Sequence, residues 1–285
     1  MTSATQHWNT VAIVGVGLIG GSIGLGLRQR GLANEVIGIG RSAVSLRVAR
    51  RVGAVTRATT DLRRGVAQAE LVVVCTPVAC IAQHVQQAAA AARCAPLITD
   101  AGSTKASIVR QVDGQLPGGA RFVGSHPLAG SEKTGPGEAR ADLFVDRITI
   151  VTPTRHTRRA DVSQIESLWR ALGSRVVRMP ADEHDEVLAR TSHMPHALAA
   201  ALAASIPRSD WRWSGGGLRD TTRIAAADPD LWAQILLDNR HSVLQAMECF
   251  DAQWRQLREA LHCGDEVRLR ALLARARRNR DALGS

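Results

Sequence analysis

At 285 residues and 30.5 kDa, with 45% hydrophobic content, the chain is long enough to bury the cores of two domains. Its formal charge of +10 favours anionic ligands, but aromatic residues are only 3% of the chain and no basic run interleaves with them, which argues against nucleic acid as a partner. Five cysteines without a C-x-x-C pair, a start that does not resemble an export signal, and no apolar run long enough to span a bilayer point to a reduced, cytoplasmic protein with no membrane partner.

In chain order, residues 11–14 are an apolar run entering the glycine-rich turn Gly15-Val16-Gly17-Leu18-Ile19-Gly20, and 18–30 read as a helix. Strands follow at 36–39, 71–75 and 96–99, alternating with helices at 42–51, 78–93 and 104–112. Two further strands, 121–124 and 147–151, flank a loop that carries His126. Such alternation implies a parallel sheet covered on both faces. Beyond residue 152 the periodicity turns helical, over 161–172, 182–205 and most of 229–283, with one short strand at 175–177 interrupting it. The arginine-dense segment 268–280 reads as the wet face of a terminal helix whose other face is Leu269, Leu272, Leu273 and Ala276. The expected fold is α/β: an N-terminal Rossmann domain over residues 1–152, then an all-helical C-terminal domain over 153–285.

The glycine turn follows a strand and opens a helix, the context that makes G-x-G-x-x-G a dinucleotide site. Gly15 permits the tight turn, Gly17 lets a pyrophosphate approach the backbone, and Gly20 lets the helix pack on the strand, while the amides at Leu18 and Ile19 face the phosphates. Thr76 and Pro77, between the strand ending at Cys75 and its following helix, join the expected cofactor-binding set. An NAD site usually places a carboxylate at the end of the second strand, on the ribose hydroxyls. Here that place reads Gly40-Arg41-Ser42. Arg41 can pair with a 2′-phosphate and Ser42 can donate to it, so charge favours NADP over NAD.

Only two of the 36 basic residues are lysines, Lys105 and Lys133, and each lies in a Gly-Ser-rich polar segment. The first segment is Asp100-Ala101-Gly102-Ser103-Thr104-Lys105; the second runs from Ser125 through His126 to Lys133. A nicotinamide enzyme that oxidises an alcohol needs a base for the hydroxyl proton, and His126 is the best candidate, with Ser103 placed to orient the same hydroxyl. Lys105 suits a cation near a bound anion at a helix start, or a structural partner of Asp100.

These segments, with Gly17-Leu18-Ile19-Gly20-Gly21-Ser22, Ser192-His193-Met194-Pro195-His196 and the run from Gly215 through Arg223 to Ala225, resemble the prephenate and arogenate dehydrogenases of tyrosine biosynthesis, in order and over nearly the whole chain. The resemblance implies a Rossmann domain followed by a helical dimerisation domain, hence a homodimer, with the active site between the two domains. It implies oxidative decarboxylation of prephenate to 4-hydroxyphenylpyruvate, or of arogenate to tyrosine. His126 would be the base, assisted by Ser103; Arg223 would clamp a substrate carboxylate; His196 would lie near the bound ring. Glu132 and Asp220 would organise or gate the site, Trp232 would close the pocket, and Lys105 is placed with the substrate-binding residues. Lys133 has no assigned role. His196 leans the choice towards prephenate. The length leaves no room for a mutase or regulatory domain, so any feedback by tyrosine would have to act at the active site.

Other readings use the same residues. His193 and His196 with His184 or Asp185 have metal-ligating side chains, but no H-E-x-x-H or equivalent spacing is present, so no metal is expected. A Rossmann redox sensor that binds a dinucleotide without catalysis would leave His126, Ser103 and Arg223 without a joint purpose. A different two-domain hydroxyacid dehydrogenase would be separated by a substrate panel.

Overall fold

The computed structural model describes residues 7–114, 116–130 and 133–283, and the chain divides into two compact units, Met1–Asn239 and Arg240–Ser285. In the first, β1 (Trp8–Val14), α1 (Leu18–Gln29), β2 (Ala33–Ile39), α2 (Ala43–Arg51), β3 (Arg57–Thr59), α3 (Leu62–Val66), β4 (Leu71–Val74), α4 (Val78–Ala91), β5 (Leu97–Asp100), α5 (Ala106–Val112), β6 (Arg121–Pro127), β7 (Ile148–Thr152), α6 (Arg159–Ala171) and β8 (Arg175–Arg178) build one eight-stranded sheet of order β3-β2-β1-β4-β5-β6-β7-β8 with its helices. All pairings are parallel except β6 with β7.

The central strands are apolar on both faces because both are covered. Alternate residues of β1 serve different cores: Val11 and Ile13 pack with Ile23, Leu27, Ile165 and Trp169, whereas Ala12 and Val14 pack with Val72, Val74, Ile81 and Val85 on the other side. Register aligns Val11 with both Val36 and Leu71, and this lines up the carboxyl ends of β1, β4, β5 and β6. Because the strand order reverses between β1 and β4, those ends border the crevice where an open α/β sheet binds its ligands.

After the sheet the unit is helical: α7 (Ala181–Leu188), a π-helical turn (Ala189–His193), α8 (Met194–Ser205), α9 (Gly216–Thr222), a 3-10 turn (Arg223–Ala226) and α10 (Pro229–Asp238). The second unit contains α11 (Arg240–His262) and α12 (Glu266–Asp281), joined through Gly264 at φ +63°, with Asp265 capping α12 by accepting from the Arg268 amide. No helix among the described residues is long and apolar enough to cross a membrane, and the five cysteines are free thiols.

Three features differ from expectation. The strand at 175–178 does not interrupt a helical domain; it is the edge strand of the sheet, paired to β7, so the sheet runs past residue 152. β3 and α3 are short and partly polar, with no periodicity to announce them. His126 lies within β6 rather than in a loop, because antiparallel pairing with β7 holds Ser125, His126 and Pro127 in the sheet.

Candidate active site

The turn after β1 is shaped by its glycines. Gly15 adopts φ +94°, and a Cβ there would stand 2.7 Å from the Cys75 carbonyl oxygen; one on Gly20 would stand 2.2 Å from the Gly15 carbonyl oxygen. A Cβ on Gly17 would meet nothing within 4 Å. The turn is therefore closed against the sheet at Gly15 and Gly20 but open at Gly17, and no side chain caps the first amides of α1. Packed glycines around an open one at an uncapped helix N-terminus fit a pyrophosphate. Around this turn, Arg41 is exposed at the end of β2, the Ser42 hydroxyl caps α2 by accepting from the Ser45 amide at 3.2 Å, and the Thr76 hydroxyl lies 3.0 Å from His84 Nδ1. Pro77 precedes the first turn of α4.

Beside the turn opens a cavity of about 1070 Å³, lined among others by Leu18, Ser103, His126, His196, Arg223 and Trp232. Residues from β6, the loop after β5, α8, the 3-10 turn and α10 thus converge on one space. Its volume is ample for a substrate beside the reactive end of a cofactor. His126 is 9% exposed. Its Nδ1 is 2.9 Å from His184 Nε2, and His184 Nδ1 is 2.7 Å from Asp185 Oδ1. Asp185 in turn accepts from the backbone amides of Lys105 and Ala106 at 2.8 and 2.9 Å, tying α7 to the start of α5. On the far side of α7, the Asn239 amide donates to the Asp185 carbonyl and lies 3.1 Å from His193 Nδ1.

Burial, reinforced by His184, Lys105 and His193, holds His126 well below the ordinary imidazole range, so at neutral pH it carries no extra proton. Burial likewise lowers His184 and His196, and brings His193 to about 4. Burial alone would raise Asp185, but hydrogen bonds from His184, Ala106 and Lys105 keep it below its usual value. His196 stacks on Trp232, with ring centroids 3.5 Å apart and planes 9° from parallel, and its buried Nδ1 has no hydrogen-bond partner among the described residues.

Of the expected substrate-side residues, Ser103, His126, His196, Arg223 and Trp232 meet at the cavity. Lys105 does not: it is fully buried, and its ammonium pairs with Asp100, whose carboxylate also accepts from the Gly102 and Ser125 amides. It is a foundation of the site rather than a substrate ligand, because its ammonium is buried against Asp100 and is not part of the cavity lining. Asp220 is exposed on α9 and is not part of the lining, which Arg223, three residues on, does reach. Glu132 lies outside the described residues. Lys133 lines the cavity and pairs with Glu138 at 2.8 Å. His184 and Asp185 are engaged with His126 and α5, not with His193 and His196 as a metal set. Sequence reasoning missed Asn239 and the cavity-lining Arg140 and Arg147; one more arginine among many carries no signal, and Asn239 is defined only by its distant partners.

Comparison with known proteins agrees with this geometry. Residues 23–178 match the family model for the prephenate dehydrogenase nucleotide-binding domain, and residues 180–275 match that for the prephenate dehydrogenase dimerization domain. The chain is 34% identical over 262 residues to a cyclohexadienyl dehydrogenase of Zymomonas mobilis, covering 90% of this chain and 89% of that one. It is 33% identical over 285 residues to a prephenate dehydrogenase of Bacillus subtilis, covering 98% and 77%. Its fold superposes on the crystal structure of prephenate dehydrogenase from A. aeolicus in complex with hydroxyphenyl propionate and NAD+ with a TM-score of 0.90, at 30% identity and covering 99% and 100% of the two chains. With a dinucleotide cradle and a histidine-lined cavity at the switch point of the sheet, and with both domains matched in order, the chain belongs to the prephenate dehydrogenase family.

Proposed function

We propose that this nicotinamide-dependent prephenate dehydrogenase uses His126 as the base for the substrate's ring hydroxyl, Ser103 to orient that hydroxyl, and Arg223 to clamp a substrate carboxylate. The observation that carries the assignment is the placement of a buried, neutral imidazole whose Nδ1 is already engaged by His184, leaving Nε2 as the nitrogen available to the cavity. The bound nicotinamide supplies the hydride acceptor. The hydroxyl-bearing ring carbon would release its hydrogen to that acceptor as hydride while His126 takes the hydroxyl proton; the ring carboxylate then departs as carbon dioxide, its electron pair makes the ring aromatic, and the ring oxygen regains the proton from His126. Aromatisation drives the decarboxylation, so the chain's task is positioning and the transfer of one proton. Among the described residues Arg223 forms no ion pair, so its guanidinium fork is available to a carboxylate. His196 and Trp232, stacked face to face, form a flat wall for the ring.

Prephenate is the preferred substrate over arogenate in this reading. The carboxylates of the described cavity lining, Glu138 and Asp142, are paired with Lys133 and Arg140, so neither is free to receive an amino group. NADP is the preferred cofactor, because exposed Arg41 occupies the place of the ribose-binding carboxylate and the Ser42 hydroxyl, accepting from Ser45, still has its proton to donate. The active form is a homodimer, supported by the dimerization-domain match, with the boundary between the two domains near residue 179.

An assay of both substrates with both cofactors tests these roles. Turnover of prephenate should be lost in His126→Asn with cofactor binding retained. Arg41→Ala should raise KM for NADP by about 10- to 100-fold, as expected for loss of a charge-assisted contact, and leave NAD unaffected. Absence of turnover in the wild type with either substrate would sink the reading.

A further inference from the structure

We propose that Asp185 and His184 are positioning residues that fix the ring tautomer of His126, so that its cavity-facing nitrogen is always the proton acceptor. The proposal rests on His126 being the base, and it adds how that base is kept in its working form.

The direction of each hydrogen bond follows from groups whose roles cannot reverse. The carboxylate of Asp185 only accepts, and two of its bonds come from backbone amides, those of Lys105 and Ala106 at 2.8 and 2.9 Å. The third contact, 2.7 Å from Oδ1 to His184 Nδ1, therefore requires the proton on His184 Nδ1. Neutral His184 then offers only a lone pair at Nε2. His126 Nδ1, 2.9 Å away, must be the donor, and the remaining nitrogen of His126, Nε2, is left bare. A neutral imidazole without such partners exchanges between two tautomers, one of which has its proton where the substrate's proton must go.

The same chain helps after the proton is taken. His126 then carries a positive charge in a site where it is 9% exposed, and the charge of Lys105 opposes it. The Asp100 carboxylate is committed to Lys105, and Asp185 is reached through the ring of His184. His184 is fully buried and Asp185 nearly so, so their interaction with the new imidazolium is little screened by solvent. Asp185 also holds the first amides of α5, and that anchorage fixes the angle from which it meets His184.

The experiment uses the 285-residue chain and the oxidation of prephenate. In wild-type enzyme with 15N-labelled histidine rings, NMR at neutral pH should show His126 protonated at Nδ1 and bare at Nε2, the resonances being assigned by their loss in His126→Asn. Protonation at Nε2 overturns the proposal without any variant having to fold. In parallel, His184→Leu, which removes the acceptor, should lower kcat for prephenate by at least about 100-fold, the scale of general-base catalysis, while KM and cofactor affinity stay within about threefold. His184→Gln, whose side-chain carbonyl can accept from His126 Nδ1, should recover at least about tenfold of that loss. Wild-type kcat in His184→Leu, or a folded His184→Gln no better than His184→Leu, overturns the proposal. If His126→Asn itself retained turnover, the failure would belong to the base assignment instead.

Discussion

A buried ammonium is the least expected residue-level feature of this site. The scarcity of lysine in the sequence singled out the segment containing Lys105, but not its burial. Lys105 pairs with Asp100 at full burial, and the Asp100 carboxylate is also fed by the Gly102 amide at 2.9 Å and the Ser125 amide at 3.1 Å. The Ser125 hydroxyl donates to the Asp100 carbonyl and accepts from the Trp169 indole, so the pair is knitted into the sheet directly behind His126. Breaking such a pair strands a charge that solvent cannot reach. Lys105→Met should therefore destabilise the fold by about 3–5 kcal/mol in urea unfolding. The two amides soften the penalty, which places the expected value at the lower end; a loss under about 1 kcal/mol would mean that Asp100 does not depend on its cation. That His126, Ser103 and Arg223 would face one cavity was legible because each sits in a short, chemically specific segment. Of the two readings of Lys105, the pairing with Asp100 is the one the structure shows; the sequence did not decide between them because burial is not written in a six-residue motif.

At the scale of elements, the glycine turn separates two jobs that the sequence motif merges. Gly20 has a structural job, since a Cβ there would overlap the Gly15 carbonyl oxygen, whereas a Cβ on Gly17, at negative φ, would meet only open space. Gly20→Ala should thus lower the melting temperature and cofactor affinity together. Gly17→Ala should melt like the wild type yet bind the cofactor at least about tenfold more weakly, because the added methyl occupies the approach of the pyrophosphate. Equal melting losses in the two variants, read by calorimetry beside a binding titration, would contradict this division. The strand-helix alternation made most of these elements legible, and the all-apolar strands gave the sheet its parallel class. The helix expected over 182–205 is instead α7 and α8 joined by a π-helical turn. Pro195 has no amide to donate back to the Thr191 carbonyl, and its ring crowds that carbonyl, so the helix widens there. That turn carries His193 and delivers His196 to the cavity.

Across the whole first unit, the site is held by contacts between residues far apart in sequence. His126 and His184 are 58 residues apart, Lys105 and Asp185 80, and Thr104 and Asp238 134, the last pair at 2.5 Å. No local pattern encodes such pairs, which is why His184, Asp185 and Asn239 were not recognised as parts of the site. Their burial has a consequence for the stability of the protein. His126, His184, His193 and His196 are all depressed below 6.5, each chiefly by burial. In the unfolded chain these rings return to an ordinary value near 6.5. Between that value and the lower folded values the unfolded state binds more protons, so unfolding becomes easier as pH falls. The stability is full above about pH 6.5 and is progressively lost below it. His193, at about 4 in the fold, accounts for a loss on the order of 3 kcal/mol once pH passes below both values. The carboxylates act in the same direction but lower down: Glu166, held low chiefly by Arg178, and Asp185, held low by its three donors against its burial, lose their contribution only as pH falls through the acidic range. The two windows are therefore separable. Urea unfolding at pH 7.5 and pH 5 should differ by at least about 2 kcal/mol, with an unchanged dependence on urea concentration. His193→Gln should reduce that difference without altering the further loss below pH 4. A stability that stays flat from pH 7.5 to 5 would mean that the buried histidines gain their protons in the folded state as easily as in the unfolded one, and that the neutral cluster behind the cavity is not the state in which the enzyme folds.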